Sequence, residues 1–175
     1  RFFKLAGKAV SGSLRFEPKI YLRRHYDKFS LDKNRPGWQT NYSTNYTYGA
    51  GLGFVIESSF LDAAYGFELS EDRIFSTNMQ KHARGKTGLY AEITPHILEP
   101  LYINAGIRQD TSSGFEAEYS PSVNMKYALF DLLSARASLG RSFRIPTFTD
   151  LYYRDAANIG NEDLRTESSW TYEAG

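Results

Sequence analysis

Histidine, carboxylate and glycine clusters are where metal, acid–base or phosphate chemistry would have to sit in this chain, and each fails on spacing. His25, His82 and His96 are scattered, with no pair at the spacing of metal ligands. The 175 residues include no cysteine, which removes thiolate metal sites and disulfides alike. Asp32-x-Asn34 followed by Gly37 hints at a calcium loop, but Pro36 and Ser43 stand where an EF-hand needs ligands. A surface ion on Asp27, Asp32 and Asn34 is a minor alternative, since calcium takes about six to eight oxygens. Gly85-Lys86-Thr87 ends like a phosphate-binding loop, but the first glycine of that loop would fall on Gln80. Gly49, Gly51 and Gly53 recur at every second residue, which is not the dinucleotide pattern. On a strand they would leave a smooth inner surface for close approach of another element. No Ser, His and Asp can be placed in a common site. The expectation is non-covalent binding: no enzyme, no cofactor, no metal.

Long β-strands must position whatever binding residues there are. From Tyr42 to Ile56 the even positions read Tyr, Thr, Tyr, Tyr, Ala, Leu, Phe, Ile, and the odd positions read Ser, Asn, Thr, Gly, Gly, Gly, Val. A period of two means a strand with one apolar and one polar or small face. Fifteen residues at about 3.3 Å each give about 46 Å. Tilted by about 45°, such a strand covers about 33 Å along a membrane normal, more than the ~25 Å apolar band of an outer-membrane barrel. The even face carries no charge. Composition agrees, with 13 Tyr, 12 Phe and 14 Gly. No apolar run is long enough for a transmembrane helix, and the net charge of +1 gives no pull toward nucleic acid.

About nine strand-like segments follow from the same period: 1–9, 13–28, 42–56, a strand around 63–70, one around 89–94, then 101–108, 119–127, 135–144, and a last one from Glu167. Connections near 10–13, 58–62, 96–100 and 130–134 are short. Those near 29–40, 78–86, 110–115 and 145–165 are longer and more polar, the asymmetry of periplasmic turns and extracellular loops. Tyr26, Phe29, Trp38 and Tyr42 gather at one end of the strands, and Phe54 and Phe60 at the other, as interfacial girdles would. The expected fold class is all-β: an antiparallel transmembrane barrel segment of about nine long meander strands. A soluble sandwich also alternates, but its strands are shorter.

Gly140-Arg-Ser-Phe-Arg-Ile-Pro-Thr-Phe-Thr-Asp-Leu-Tyr-Tyr153, then Asn158-Ile-Gly-Asn-Glu-Asp-Leu-Arg-Thr-Glu167 and Ser169-Trp-Thr-Tyr-Glu-Ala-Gly175, resemble a stretch of TonB-dependent outer-membrane receptors. The matching residues are Ser142, Phe143, Arg144, Pro146, Leu151, Tyr152, Gly160, Asn161, Leu164, Glu167, Tyr172, Glu173 and Gly175. Thr166 departs from the family, where a proline commonly precedes the glutamate. Tyr21-Leu-Arg-Arg-His-Tyr-Asp-Lys-Phe29 is similar to cobalamin-receptor-like members. The resemblance implies a barrel of about 22 strands plugged by an N-terminal domain. Residues 1–175 would be a partial barrel domain, with the plug and the C-terminal strands absent. It further implies the partners: the chain's own plug, the TonB energy-coupling complex acting through it, outer-membrane lipid, and a scarce nutrient. Cobalamin leads, with a ferric siderophore or haem behind. A passive porin or structural outer-membrane barrel is the alternative, and an outer-membrane enzyme or adhesin a third.

Four residues stand out as candidate ligand contacts. Arg144 lies on the inward face below the long loop, where it would pair with loop or plug carboxylates or face an anionic ligand. Tyr152 and Tyr153 would stack on ligand or pack the loop. Trp38 in the loop after the second strand is the fourth. Phe143, Pro146, Gly160, Asn161, Leu164 and Glu167 are expected to be structural. Pro146 would end ladder pairing, and Gly160-Asn161 would form a tight turn.

Overall fold

The computed structural model describes residues 1–30, 32, 34–35, 40–97, 99–130, 132–155 and 157–175. Among these described residues there are ten strands: β1 (Phe2–Ala6), β2 (Ala9–Ser11), β3 (Leu14–Ser30), β4 (Thr40–Glu57), β5 (Leu61–Ser76), β6 (Gln80–Pro95), β7 (Leu101–Ser112), β8 (Glu118–Phe130), β9 (Leu133–Arg144) and β10 (Glu167–Ala174). One short helix, α1 (Phe148–Tyr152), lies between β9 and β10. All strands join one antiparallel sheet in the order β1-β3-β4-β5-β6-β7-β8-β9-β10, with β2 also on β3. The expected all-β meander is what the chain forms.

Register preserves the alternation from strand to strand. Phe16 pairs with Phe54 and Phe54 with Tyr65, ring centroids 5.4 and 5.1 Å apart, on one face. On that same outward face Leu69, Leu89, Ile107 and Met125 remain half exposed, and among the described residues only Ile74, Met79 and Leu151 are buried hydrophobics. An apolar sheet face left uncovered on this scale marks an interaction surface, and its alternation with a polar face is the pattern of a transmembrane strand. The opposite face is concave and polar.

Three expectations change in detail. The strand at 1–9 is split at Gly7-Lys8, opposite Pro18. Proline has no N–H, so only the bond from the Gly7 N–H to the Pro18 carbonyl (3.0 Å) survives there. Residues 78–86 are not a loop. β5 and β6 run on to a turn at 77–79, and His82, Arg84 and Lys86 continue the inward row of Tyr90 and Glu92. Their charges mark strand above the apolar band, not a break in strand. Phe29 lines the concave side rather than joining an aromatic girdle.

The glycines on the concave face are not a bare wall. Gly49 sits opposite Tyr21, Gly51 opposite Lys19 and Gly66 opposite Tyr90. A Cβ on Gly53 would lie 2.9 Å from the Tyr90 hydroxyl, and one on Gly51 2.7 Å from Lys19 Cε. Each glycine makes room for a long side chain lying across it, so the expected smooth approach surface is covered by this chain's own residues.

Candidate functional site

The segment after β9 does not project into solvent; it folds onto the concave face. β9 stays paired with β8 only as far as Gly140–Ser122, next to Pro121, which has no N–H to offer. Beyond it, residues 141–144 pair with β10 alone. Thr147 then caps α1 in a reciprocal box. Its hydroxyl accepts from the Asp150 N–H (3.1 Å), and Asp150 Oδ2 accepts from the Thr147 N–H (2.9 Å). Asp150 Oδ2 also accepts from Arg144 Nη2 at 2.8 Å, while Arg144 Nη1 reaches Glu167 at 3.5 Å.

The return leg closes on the helix. Asp155 Oδ1 accepts from the Ala157 and Asn158 N–H groups at 2.8 and 2.7 Å, turning the chain so that Arg154 and Ile159 bridge. The Gly160 N–H donates to the Tyr153 carbonyl (2.7 Å) and the Asn161 N–H to the Asp150 carbonyl (2.9 Å). Asp155 thus makes one turn of this leg, and Asn161 opens a second, its Oδ1 accepting from the Asp163 N–H at 2.9 Å. Gly160 serves close approach: a Cβ there would lie 2.6 Å from the Leu151 carbonyl carbon and oxygen.

Residues of distant strands hold this loop. The Arg84 guanidinium donates to the Pro146 carbonyl at 2.8 Å and lies 4.9 Å from the ring centroids of both Phe115 and Phe148. His82 stacks on Tyr152, rings 3.6 Å apart and 4° from parallel, and its Nε2 is 2.6 Å from the Met79 carbonyl. Neither Arg84 nor His82 stands out in the sequence, although their even spacing with Lys86 and Tyr90 is the available signal.

Below the loop the wall carries a polar network. Glu68 accepts from Lys19 (3.1 Å) and the Tyr21 hydroxyl (2.7 Å), and Asp72 accepts from Thr47 (2.8 Å) and Lys86 (2.6 Å). Arg108 grips Asp110 with two nitrogens. Between wall and loop lies a concavity of about 900 Å³, bounded by Arg23, Lys86 and Asp72 on one side and Phe143, Ile145 and Phe148 on the other. A smaller one of about 470 Å³ adjoins it, lined by His25, Asp27, Met79 and Tyr153. Cationic and aromatic groups there can bind a ligand without transforming it. Among the described residues no group of three His or carboxylate side chains could hold a metal ion.

The four candidate contacts separate. Arg144 is engaged by loop carboxylates, and Tyr152 packs against His82. Tyr153 reaches the smaller concavity, and Trp38 lies outside the described residues. Burial, then a hydrogen bond with Asp155, raises the Tyr153 phenol above its usual value and keeps it neutral.

Two outcomes follow for the loop. Arg84→Ala removes a charge-assisted hydrogen bond and two ring contacts, about 2 kcal/mol together. Hydrogen exchange at the Leu151 and Tyr153 amides should then quicken by roughly thirtyfold, with Arg84→Lys between. The second concerns acid. The Thr147 N–H, followed by its hydroxyl and by Arg144, holds the Asp150 carboxyl below its usual 3.8. A depressed carboxylate stabilises the fold above its unfolded value and loses that contribution as pH falls through the folded one. Asp155, held below its usual value by the Ala157 and Asn158 N–H groups, adds to this in the same direction. Loop protection should therefore be flat near neutrality and fall only below about pH 4, a fall that Asp150→Asn reduces and the double variant Asp150→Asn, Asp155→Asn abolishes.

Comparison with known proteins places these features. The family model described as TonB dependent receptor-like, beta-barrel matches residues 5–175. The chain is 26% identical over 148 residues to the vitamin B12 transporter BtuB of Photobacterium profundum, covering 83% of this chain and 22% of that protein. It is 31% identical over 101 residues to BtuB of Vibrio vulnificus (strain YJ016), covering 57% and 16%. The chain thus spans about a fifth of these relatives. Among solved structures, the siderophore receptor PirA from Pseudomonas aeruginosa superposes with a TM-score of 0.81 at 18% identity, over 99% of this chain and 34% of that one. A double mutant of the Serratia marcescens hemophore receptor HasR gives 0.80 at 17%, over 99% and 35%. At these identities the likeness is one of fold.

Proposed function

Because this chain belongs to the TonB-dependent receptor β-barrel family, we propose that it forms part of the wall and mouth of an outer-membrane active transporter. In this reading residues 1–175 are a portion of the barrel domain. The plug and remaining strands lie elsewhere in a longer chain, and the TonB complex acts through the plug. A scarce nutrient binds at the mouth and passes inward, and nothing is covalently changed. Cobalamin is the leading ligand, because the curated relatives are vitamin B12 transporters. A ferric siderophore or haem comes next, from the fold relatives.

The observation that carries the reading is the inward-folded loop. The family-like residues Phe143 to Glu167 form one folded unit, which Arg84 and His82 hold over a concavity. Arg144, Tyr152 and Trp38 are proposed to border the ligand, with Tyr153 facing it. The test is uptake of labelled cobalamin and of a labelled ferric siderophore by cells carrying the full-length protein, with and without a proton gradient. Gradient-dependent uptake of one ligand is expected. Gradient-independent passage of small solutes would overturn the proposal in favour of a porin.

A further inference from the structure

Four cations stand on the outward face of β3–β6, all at the end where the long loops lie. Each has an aromatic ring beneath it. Arg24 is 5.7 Å from the Tyr46 centroid, Lys28 5.5 Å from Tyr42, Arg73 5.8 Å from Tyr48 and Lys81 5.4 Å from Phe75. Register makes them one patch. Arg24, Tyr46 and Arg73 are cross-strand neighbours in one row; Tyr26, Thr44, Phe75 and Lys81 form the next, and Lys28 and Tyr42 the one above. Rows two residues apart are about 6.6 Å apart, so the patch is about 13 Å tall. Glu71, paired with Arg73, is the one carboxylate facing it among the described residues, and Arg24, Lys28 and Lys81 have no carboxylate partner.

The patch lies directly above the apolar band. Below it the same face reads Leu22, Ile20, Pro18 and Phe16 on β3 and Ala50, Leu52, Phe54 and Ile56 on β4. From there to the lower end of the strands, the outward face carries no lysine or arginine among the described residues of β3–β6; Arg15, at the lower end of β3, faces the concave side and pairs with Glu17 and Glu57. Interfacial aromatics sit at headgroup depth, and a long cationic side chain lying on one is held at that depth. Four such cations with one carboxylate match a negatively charged headgroup layer rather than a zwitterionic one.

We propose that this patch binds the phosphate groups of lipid in the leaflet facing the long loops, anchoring the wall and fixing its depth. The proposal rests on the reading of this face as lipid-facing. The experiment uses the full-length protein in nanodiscs of phosphatidylcholine, with and without phosphatidic acid. Retention of phosphatidic acid is read by native mass spectrometry for the parent and for the combined variant Arg24→Gln, Lys28→Gln, Arg73→Gln and Lys81→Gln. A nitroxide at Phe54→Cys reports oxygen against nickel accessibility in both proteins.

A lipid-exposed label together with a loss of about tenfold or more in phosphatidic acid retention is expected, with phosphatidylcholine unchanged. The combined Lys variant at Arg24 and Arg73 should retain the lipid. A lipid-exposed label with undiminished retention in the Gln variant overturns the patch alone. A water-exposed label overturns the lipid-facing reading and the patch with it. Displacement by inorganic phosphate as effective as by phosphatidic acid would make this a free-anion site and overturn the lipid assignment.

Discussion

Gly160→Val should leave the barrel wall assembled and dislodge the loop above it. The added branches have no room, since a Cβ alone would lie 2.6 Å from the Leu151 backbone. Neither side can yield without breaking bonds: the Gly160 N–H to Tyr153, and the Asn161 N–H to Asp150. Overpacking of this kind costs about 1–3 kcal/mol. These backbone bonds tie the return leg to α1, whose Phe148 and Tyr152 lie against Arg84 and His82, so loop docking should weaken by about fivefold to 150-fold. Spin labels in α1 and at the β5–β6 turn should show a broadened, longer separation, and ligand uptake should fall in parallel. Gly140→Ala is the control, because its Cβ would meet only the Pro121 carbonyl, at 4.0 Å. If Gly160→Val keeps the parent's distance distribution, the close-packing account of this glycine is wrong.

Leu52→Arg should be the most damaging single charge on the outward face. Leu52 lies at the centre of the apolar stretch of β4, between Pro18 and Phe67. A guanidinium at mid-band costs about 2–4 kcal/mol, and near the interface about 0–1. Thr44→Arg, on the same face but in the row of Phe75 and Lys81, should therefore be tolerated. Urea titration of the full-length protein folded in bilayers would read both. Equal costs at the two positions would mean that this face does not sit across a bilayer.

The alternation that makes the strands legible is local. Side chains two residues apart share a face whatever the rest of the chain does, so Tyr42 to Ile56 can be read without any partner strand. Where the local signal mixes with charge, as at His82, Arg84 and Lys86, strand reads as loop. Period two continues there, but the stretch has left the apolar band. The same limit applies to the glycines at 49, 51 and 53. Their spacing is plain, yet what covers them depends on which residues of β3 and β6 stand opposite.

By itself the sequence determined the strand faces, the absence of thiol chemistry and the family-like block from Phe143 to Glu167, since composition, period and motif reside in contiguous residues. Only the tertiary structure decided that Arg84 reaches Pro146 across 62 residues, that His82 meets Tyr152, and that Arg24, Arg73 and Lys81 form one patch. Those contacts depend on cross-strand register and on where a loop folds back. Both are set by the summed pairing of the whole sheet, which no short stretch of chain encodes.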